Sequence, residues 1–222
     1  MRHVFVTGGT GYMGNSLIPA LMERGHEVRA LVRQGSEGKL PPGCALVMGN
    51  ALDAASYANR VPPADTFVQL VGHPKPNPRK AQQFRDVDMK SGLEAVAAAR
   101  QAGIAHFVYV SVAHPAPVMQ VYIEPRLEVE KAIGSSGLNA TIVRPWYVLG
   151  PGHRWPYVLL PAYAVMSALP GKRDTARRLG LVTLKQMVNA LVEAVERPPQ
   201  GVRVVEVPEI RRASPPPLPD TA

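Results

Sequence analysis

The chain of 222 residues is poor in cysteine and aromatic residues, and it contains no long apolar run. Its single cysteine, Cys44, excludes an intramolecular disulfide framework, so we interpret it as a buried or loop thiol. Without an apolar run of membrane-spanning length, no transmembrane helix is expected. The chain enters an apolar strand pattern directly, with no secretory signal before it, which predicts a cytoplasmic protein.

Acidic residues are also scarce, since 17 Asp and Glu stand against 25 Lys and Arg and the net charge is +8. Such a charge suits either nucleic acid or an acidic small molecule. The basic residues are scattered and no nucleic-acid recognition motif accompanies them, so we expect no specific nucleic-acid partner. No group of His, Cys or carboxylates has the spacing of metal ligands, so no metal is expected. The length fits one domain, and there is no internal repeat.

Short apolar segments alternate with helical patterns through the first two thirds of the chain. Strands are predicted at 4–6, 28–32, 45–48, 66–71, 106–110 and 140–143, and helical segments at 15–24, 53–60, 82–101 and 126–133. Strands that are apolar throughout and alternate with helices indicate an α/β fold, a parallel sheet covered by helices on both faces. Ligands of such sheets bind at the carboxyl ends of the strands.

After Gly150 the alternation stops. Residues 153–171 are apolar and interrupted by prolines, and a helix at 184–195 and a strand at 202–207 follow. We therefore predict a cofactor-binding core over 1–150, a small C-terminal lobe over 151–210 that completes the same domain, and a proline-rich tail over 211–222. The lobe suits a substrate-binding element and a packing or dimer-interface element equally well.

The stretch "VFVTGGTGYMG" carries the strongest single motif. Gly9, Gly11 and Gly14 fit the pattern G-x-G-x-x-G, and they lie between a predicted strand and a predicted helix. In that position the glycines permit a tight turn, close approach of backbone amides to a pyrophosphate, and close packing of helix on strand. The helix N-terminus adds unpaired amides and a positive dipole end. The motif predicts a dinucleotide cofactor.

Arg33 indicates which dinucleotide. A cofactor with a free ribose 2′-hydroxyl usually meets an acidic residue at the end of the second strand, and Arg33 stands there instead. A guanidinium suits a 2′-phosphate through forked, charge-assisted hydrogen bonds. We therefore predict NADP(H), with NAD(H) as the alternative; a solvated surface arginine is the other interpretation of Arg33.

Several segments together resemble the extended and atypical short-chain dehydrogenases/reductases. These are "VTGGTGYMG" at 6–14, "MGNALD" at 48–53, "VQLVG" at 68–72, "AARQAGIAHFVYVS" at 98–111 and "ATIVRPWYVLGPG" at 140–152. The relatives suggested are sugar-epimerase-like proteins, NmrA-like redox sensors and the reductase-like accessory subunit of respiratory complex I. The resemblance implies a Rossmann-type doubly wound parallel sheet with a small C-terminal lobe.

The resemblance also implies cofactor contacts by position. The pyrophosphate would be surrounded by Gly8, Thr10, Gly11, Tyr12 and Met13. The adenine would meet Asn50, Ala51 and Leu52, with Asn50 in place of the family's aspartate, and the adenosine ribose would meet Val71 and Gly72. The nicotinamide end would lie against residues 145–148, beginning at Pro145.

The family's catalytic pattern is only partly present. Ser111 ends the fifth predicted strand, where the family serine belongs, and Tyr122 would be the general acid/base. The expected Tyr-x-x-x-Lys instead ends in Arg126, which keeps a positive charge but cannot share its proton. Because Pro125 is not tolerated deep inside a helix, we expect this helix to begin near residue 123 or 124, with Tyr122 at its edge.

Two functions remain open at this point. One is an NADP-dependent oxidoreductase or epimerase-like enzyme acting on a small carbonyl or hydroxyl compound. The other is a non-catalytic NADP(H)-binding redox sensor or accessory subunit. With either function, the expected assembly is a homodimer or a larger complex. His114 and Glu124 have no evident partner, and we expect ordinary loop roles for them. The basic loop at 72–80, with His73, Lys75, Arg79 and Lys80, either touches an acidic ligand or is simply solvated.

Overall fold

The fold was determined from a computed structural model that describes residues 1–73, 81–116, 118–151 and 178–214. Its strands are β1 (His3–Thr7), β2 (Glu27–Val32), β3 (Ala45–Met48), β4 (Thr66–Gln69), β5 (His106–Val110), β6 (Ala140–Arg144), β7 (Tyr147–Leu149), β8 (Leu181–Thr183) and β9 (Val202–Glu206). Its α-helices are α1 (Gly14–Glu23), α2 (Ala81–Gln83), α3 (Lys90–Gln101), α4 (Gln120–Ser136), α5 (Leu184–Glu196) and α6 (Val207–Arg212).

Seven strands form one parallel sheet in the order β3-β2-β1-β4-β5-β6-β9. This order confirms the predicted Rossmann-type α/β fold, and all six strands predicted in the first two thirds of the chain lie in this sheet. β7 and β8 form a separate parallel pair. Within the described residues, no helix has the length and apolar character needed to cross a bilayer.

The apolar strands bury both faces of the sheet. Alternate residues of β1 point to opposite sides, so Val4 and Val6 pack with α1 and α5, while Phe5 packs with the other cluster. On that second face, Phe5, Phe67 and Phe107 are neighbours across three strands, with ring centroids 5.2 and 5.3 Å apart. Three of the chain's four phenylalanine rings thus fill this side of the core.

The segment after Gly150 joins the same core where it is described. Met187 and Leu191 of α5 are fully buried in the cluster that also contains Leu17 of α1, and β9 pairs with β6. Residues 152–177 of the predicted lobe and residues 215–222 of the predicted tail lie outside the described residues, as do residues 74–80 of the predicted basic loop.

Helices depart from the sequence-based expectation in three places, two of which lie between β3 and β5. The segment predicted at 53–60 is a pair of short 3-10 helices, Ala54–Ser56 and Ala58–Arg60. The helix predicted at 82–101 contains a π-helix, Phe84–Met89, between α2 and α3. Such wide turns occur frequently at functional sites.

The predicted start of α4 was wrong. The helix begins at Gln120, Pro125 lies inside it, and Tyr122 lies within its first turn rather than at its edge. Pro125 is close enough to the helix start to cost only one backbone hydrogen bond, the one its missing amide would donate to residue 121. Met119 precedes the helix in a left-handed conformation, with φ of 62°.

Close packing of α3 on α4 depends on Gly92. A Cβ atom there would lie 2.5 Å from Cγ2 of Val129, whose branched side chain is fully buried and has little rotamer freedom in a helix. We predict that Gly92→Ala lowers the free energy of unfolding relative to Gly134→Ala by about 1–3 kcal/mol. Gly134 is an exposed α4 position with no heavy atom within 4 Å of the added carbon, so the comparison cancels the helix-propensity gain. Urea denaturation measures both, and equal stabilities would contradict the tight contact.

His106 gives the fold a pH dependence. Burial lowers its pKa from 6.5 to about 4, so between these values the unfolded chain binds a proton that the folded chain does not. The free energy of unfolding should therefore fall as pH drops through this window, by roughly 3 kcal/mol in all. We expect His106→Gln to lose this part of the pH dependence in denaturation measured from pH 7 to pH 4. The matched variant His3→Gln, at a side chain 38% exposed, should keep it; a wild-type-like slope in His106→Gln would contradict the assignment.

Candidate active site

A cleft of about 250 Å³ lies at the carboxyl ends of β1, β4, β5 and β6. β1 and β4 are neighbours in the sheet although β2 and β3 come between them in sequence, so the chain changes direction across the sheet here. Ligands of open α/β sheets bind at such a switch point. Of the predicted cofactor residues, the cleft is lined by Gly8, Gly11, Tyr12, Met13, Val71, Gly72 and Pro145.

The glycine turn is sterically required by its surroundings. Gly8 has φ of +76°, and a Cβ there would lie 2.9 Å from the backbone of Leu70 and Val71. A Cβ on Gly14 would lie 2.5 Å from the carbonyl oxygens of Gly8 and Gly9. The turn between β1 and α1 is therefore pressed against the end of β4. The amides of Asn15, Ser16 and Leu17 bond to the carbonyl oxygens of Gly11 and Met13. No side chain caps α1 and no acidic residue lies in its first turn, so no negative charge offsets the positive end of the helix dipole at the turn.

The remaining predicted cofactor residues lie outside the cleft. Arg33 and Asn50 follow neighbouring strands, since Val32 pairs with Met48 at the ends of β2 and β3, and both are exposed. No described carboxylate pairs with Arg33. Asn50 Oδ1 accepts a hydrogen bond from the Leu52 amide at 3.0 Å, which leaves its NH2 group to a ligand.

Two further predicted cofactor residues, Thr10 and Ala51, also lie outside the lining of the cleft. Thr10, in the glycine turn, accepts a hydrogen bond from Asn15 Nδ2 at its carbonyl oxygen, at 3.1 Å. Ala51 is half-buried against the core. The residues predicted to contact the adenine and the 2′-phosphate thus follow β2 and β3, the two strands next to β1 in the sheet.

The three predicted catalytic residues all line the cleft: Ser111, Tyr122 and Arg126. The structure places the Arg126 guanidinium over the Tyr122 ring, 3.8 Å from its centroid, and Nη1 donates to the Tyr122 carbonyl oxygen at 3.1 Å. The Tyr122 hydroxyl donates to the backbone carbonyl oxygen of His73 at 3.1 Å. Arg126 therefore touches the face of the phenol ring.

A buried carboxylate, Asp88, organises this side of the cleft. It lies on the π-helix and is 2% exposed. Its Oδ1 accepts from Arg126 Nη2 at 2.5 Å and from the His73 amide at 2.9 Å, and its Oδ2 lies 2.6 Å from His73 Nδ1. Asp88 thus joins the segment after β4 to helix α4.

Ser111 belongs to a second buried cluster. Its Oγ donates to Glu130 Oε1 at 2.5 Å, and Arg144 donates to both oxygens of the same carboxylate. His114 Nε2 lies 3.4 Å from Glu130 Oε2, so His114 has a partner that sequence analysis did not find. Glu124 is exposed.

The groups around Tyr122 shift the pKa of its phenol in opposite directions. Burial raises the pKa of its phenol, the Arg126 guanidinium acts against that shift, and Asp88 adds to it. The positive charge therefore works in the direction predicted from the sequence, but it does not bring the pKa below the ordinary value. Tyr122 remains a protonated hydrogen-bond donor at neutral pH.

Sequence analysis missed Asp88, Glu130 and Met119. A helix-period signal was available for the first two, because Asp88 follows Phe84 by four residues on a buried face, and Glu130 follows Arg126 by four. A carboxylate on an apolar helix face has to find a buried partner. Met119, which lines the cleft, gave no such signal.

Residues 1–150 match the NmrA-like family, and the chain belongs to it. The ceramide reductase of Caulobacter vibrioides is 27% identical over 211 residues, which cover 94% of this chain and 65% of that protein. The 3-beta-hydroxysteroid dehydrogenase of Mycolicibacterium neoaurum is 27% identical over 179 residues, 68% of this chain and 49% of that protein. The chain thus spans about half to two thirds of the length of these two relatives.

The fold is shared with solved structures of the short-chain dehydrogenase/reductase type. The Bordetella bronchiseptica enzyme WbmH, in complex with NAD+, aligns with a TM-score of 0.68 and 20% identity, over 93% of this chain and 75% of that one. The resemblance to atypical members of this superfamily, stated from the sequence, is confirmed.

Proposed function

We propose that the protein is an NADP(H)-dependent oxidoreductase that interconverts a carbonyl and a hydroxyl group on a small substrate with an apolar body. The observation that carries the proposal is the cleft at the switch point of the sheet. It is bordered by the glycine turn on one side and by Ser111, Tyr122 and Arg126 on the other.

The glycine turn fits a dinucleotide. Gly8 and Gly14 leave no room for a side chain, and the N-terminus of α1 faces the turn without a side-chain cap. Arg33, exposed beside the end of β2, supports a 2′-phosphate, and the net charge of +8 suits an anionic cofactor. A nicotinamide cofactor supplies or accepts the hydride in such reactions.

The substrate class follows from the lining of the cleft. Apolar side chains of Val110, Val112, Met119, Trp146 and Val148 surround the few polar groups. They favour a carbonyl compound with an apolar body over the nucleotide sugar of an epimerase-like enzyme. The relatives named for ceramide and for a 3-beta-hydroxysteroid point in the same direction.

The predicted catalytic residues have distinct roles in this proposal. On substrate binding, Tyr122 exchanges its hydrogen bond to the His73 carbonyl oxygen for one to the reacting oxygen of the substrate, and Ser111 exchanges its bond to Glu130 to orient the same oxygen. Arg126 acts through Tyr122, because it packs on the ring face and holds the Tyr122 carbonyl oxygen. It is a positioning residue.

One observation favours the second candidate, a non-catalytic NADP(H)-binding sensor or accessory subunit. Arg126 replaces the family's lysine, and its guanidinium is committed to Asp88. A protein that binds NADPH and reduces no carbonyl compound would have this second function. Both candidate functions use the glycine turn to bind the cofactor. They differ in whether Tyr122 and Arg126 of α4 take part in catalysis.

The cofactor preference can be tested at Arg33. We predict tighter binding of NADPH than of NADH, and a loss of about ten- to a hundredfold in NADPH affinity on Arg33→Ala, because one charged hydrogen-bonded contact disappears. Affinity for NADH should be unchanged. Isothermal titration of both cofactors measures this, with Arg100→Ala as the matched control. Arg100 is exposed near the end of α3; equal wild-type affinities for the two cofactors would refute the preference.

The catalytic side of the cleft can be tested at Tyr122. We predict that Tyr122→Phe lowers turnover of ketones such as steroid and long-chain ketones by about a hundredfold or more, because the hydrogen bond to the developing oxyanion is lost. NADPH affinity should stay within about twofold, since the phosphates lie at the glycine turn. Tyr57→Phe, on the buried face away from the cleft, serves as the control. Wild-type turnover by Tyr122→Phe would remove Tyr122 from the mechanism.

A further inference from the structure

His73 is held in the cleft more firmly than its position on a loop suggests. Its amide donates to Asp88 Oδ1 at 2.9 Å, and its ring Nδ1 lies 2.6 Å from Asp88 Oδ2. The ring also packs edge-on against Phe84, with centroids 5.6 Å apart. These contacts fix one edge of the imidazole against a carboxylate that is 2% exposed.

The other edge of the ring remains available. The His73 side chain is 25% exposed and lines the same cleft as Tyr122 and Ser111, and no described residue bonds its Nε2. An imidazole with Nδ1 held by a buried carboxylate keeps the Nδ1–H tautomer and presents Nε2 to a ligand. Hydrolases that use histidine as a base orient it in the same way.

We propose that His73 is the proton donor and acceptor of this cleft, with Asp88 as its positioning residue. The inference rests on the proposed oxidoreductase function. In carbonyl reduction, NADPH would supply a hydride, and with it both electrons, to the carbonyl carbon. In its charged form, with a proton on each ring nitrogen, His73 gives the Nε2 proton to the carbonyl oxygen, which becomes the hydroxyl group. His73 is left neutral, still donating from Nδ1 to Asp88, and regains a proton from water; oxidation of the alcohol runs the same steps in reverse.

The other polar groups of the cleft are less suited to this transfer. The Tyr122 hydroxyl lies next to His73, since it donates to the His73 carbonyl oxygen, but burial strengthens its hold on the proton. Ser111 is bonded to Glu130. His114, which also lies near Glu130, does not line the cleft. In this proposal Tyr122 therefore donates a hydrogen bond to the substrate's carbonyl oxygen, and His73 supplies the proton.

Diethyl pyrocarbonate gives a test that does not depend on turnover. It acylates accessible imidazole nitrogens, so mass spectrometry of the treated wild-type protein should show modification of His73. NADPH together with a steroid ketone should slow that modification. Modification of His3, whose side chain is 38% exposed at the amino end of β1, should continue. Modification of His73 at the same rate with and without these ligands would overturn the proposal.

Turnover supplies the second readout. His73→Gln should reduce ketone turnover by about a hundred- to ten-thousandfold with NADPH affinity nearly unchanged, and His3→Gln should match wild type. Added imidazole should restore turnover of His73→Ala at least tenfold, a result that a merely structural role would not produce. Wild-type turnover in His73→Gln, or no rescue of His73→Ala, would overturn the role of His73 alone. Absence of ketone turnover in the wild-type protein would instead overturn the oxidoreductase proposal, and the role of His73 with it.

Discussion

A single buried carboxylate, that of Asp88, holds the cleft together. It bonds the amide and ring of His73 on one side and the guanidinium of Arg126 on the other. Breaking a buried ion pair by removing one partner typically costs about 3–5 kcal/mol, because the other charge is left uncompensated. The fit leaves no spare room, since a Cβ on Gly72 would lie 3.0 Å from Arg126 Nη2 and 3.1 Å from Asp88 Oδ1.

One face of α4 links the Asp88 cluster to the ends of further strands of the sheet. Tyr122, Arg126 and Glu130 are spaced four residues apart, so they lie above one another on successive turns. Tyr122 and Arg126 reach the segment after β4 and the π-helix, while Glu130 reaches Ser111 after β5 and Arg144 at the end of β6. The positions of three strand ends relative to one another therefore depend on one helix.

The sheet and the glycine turn could be predicted from the sequence because their signals are local. Residues 45–48 are apolar throughout, and residues 106–110 are so except for His106; both strands were predicted with the bounds observed. The start of α4 could not be predicted, because the rule that excludes proline from helix interiors weakens near a helix start, where few amides are bonded. The partners of Asp88 and Glu130 could not be predicted from the sequence either. Their contacts join residues 14 to 38 positions apart along the chain, and no local pattern encodes such pairs.

The replacement of lysine by arginine at position 126 is consistent with this geometry. A guanidinium has separate donors on a rigid plane, and here Nη1 holds the Tyr122 carbonyl oxygen, Nη2 holds Asp88 and the plane packs over the Tyr122 ring. A lysine ammonium offers a point charge and could not make these contacts together. Because Arg126 does not give up its proton, proton transfer has to come from a different group. The group that the Asp88 carboxylate holds at the cleft is the imidazole of His73. Arginine at position 126 removes the lysine as a proton carrier, and Asp88, which binds that arginine, also positions His73 as another.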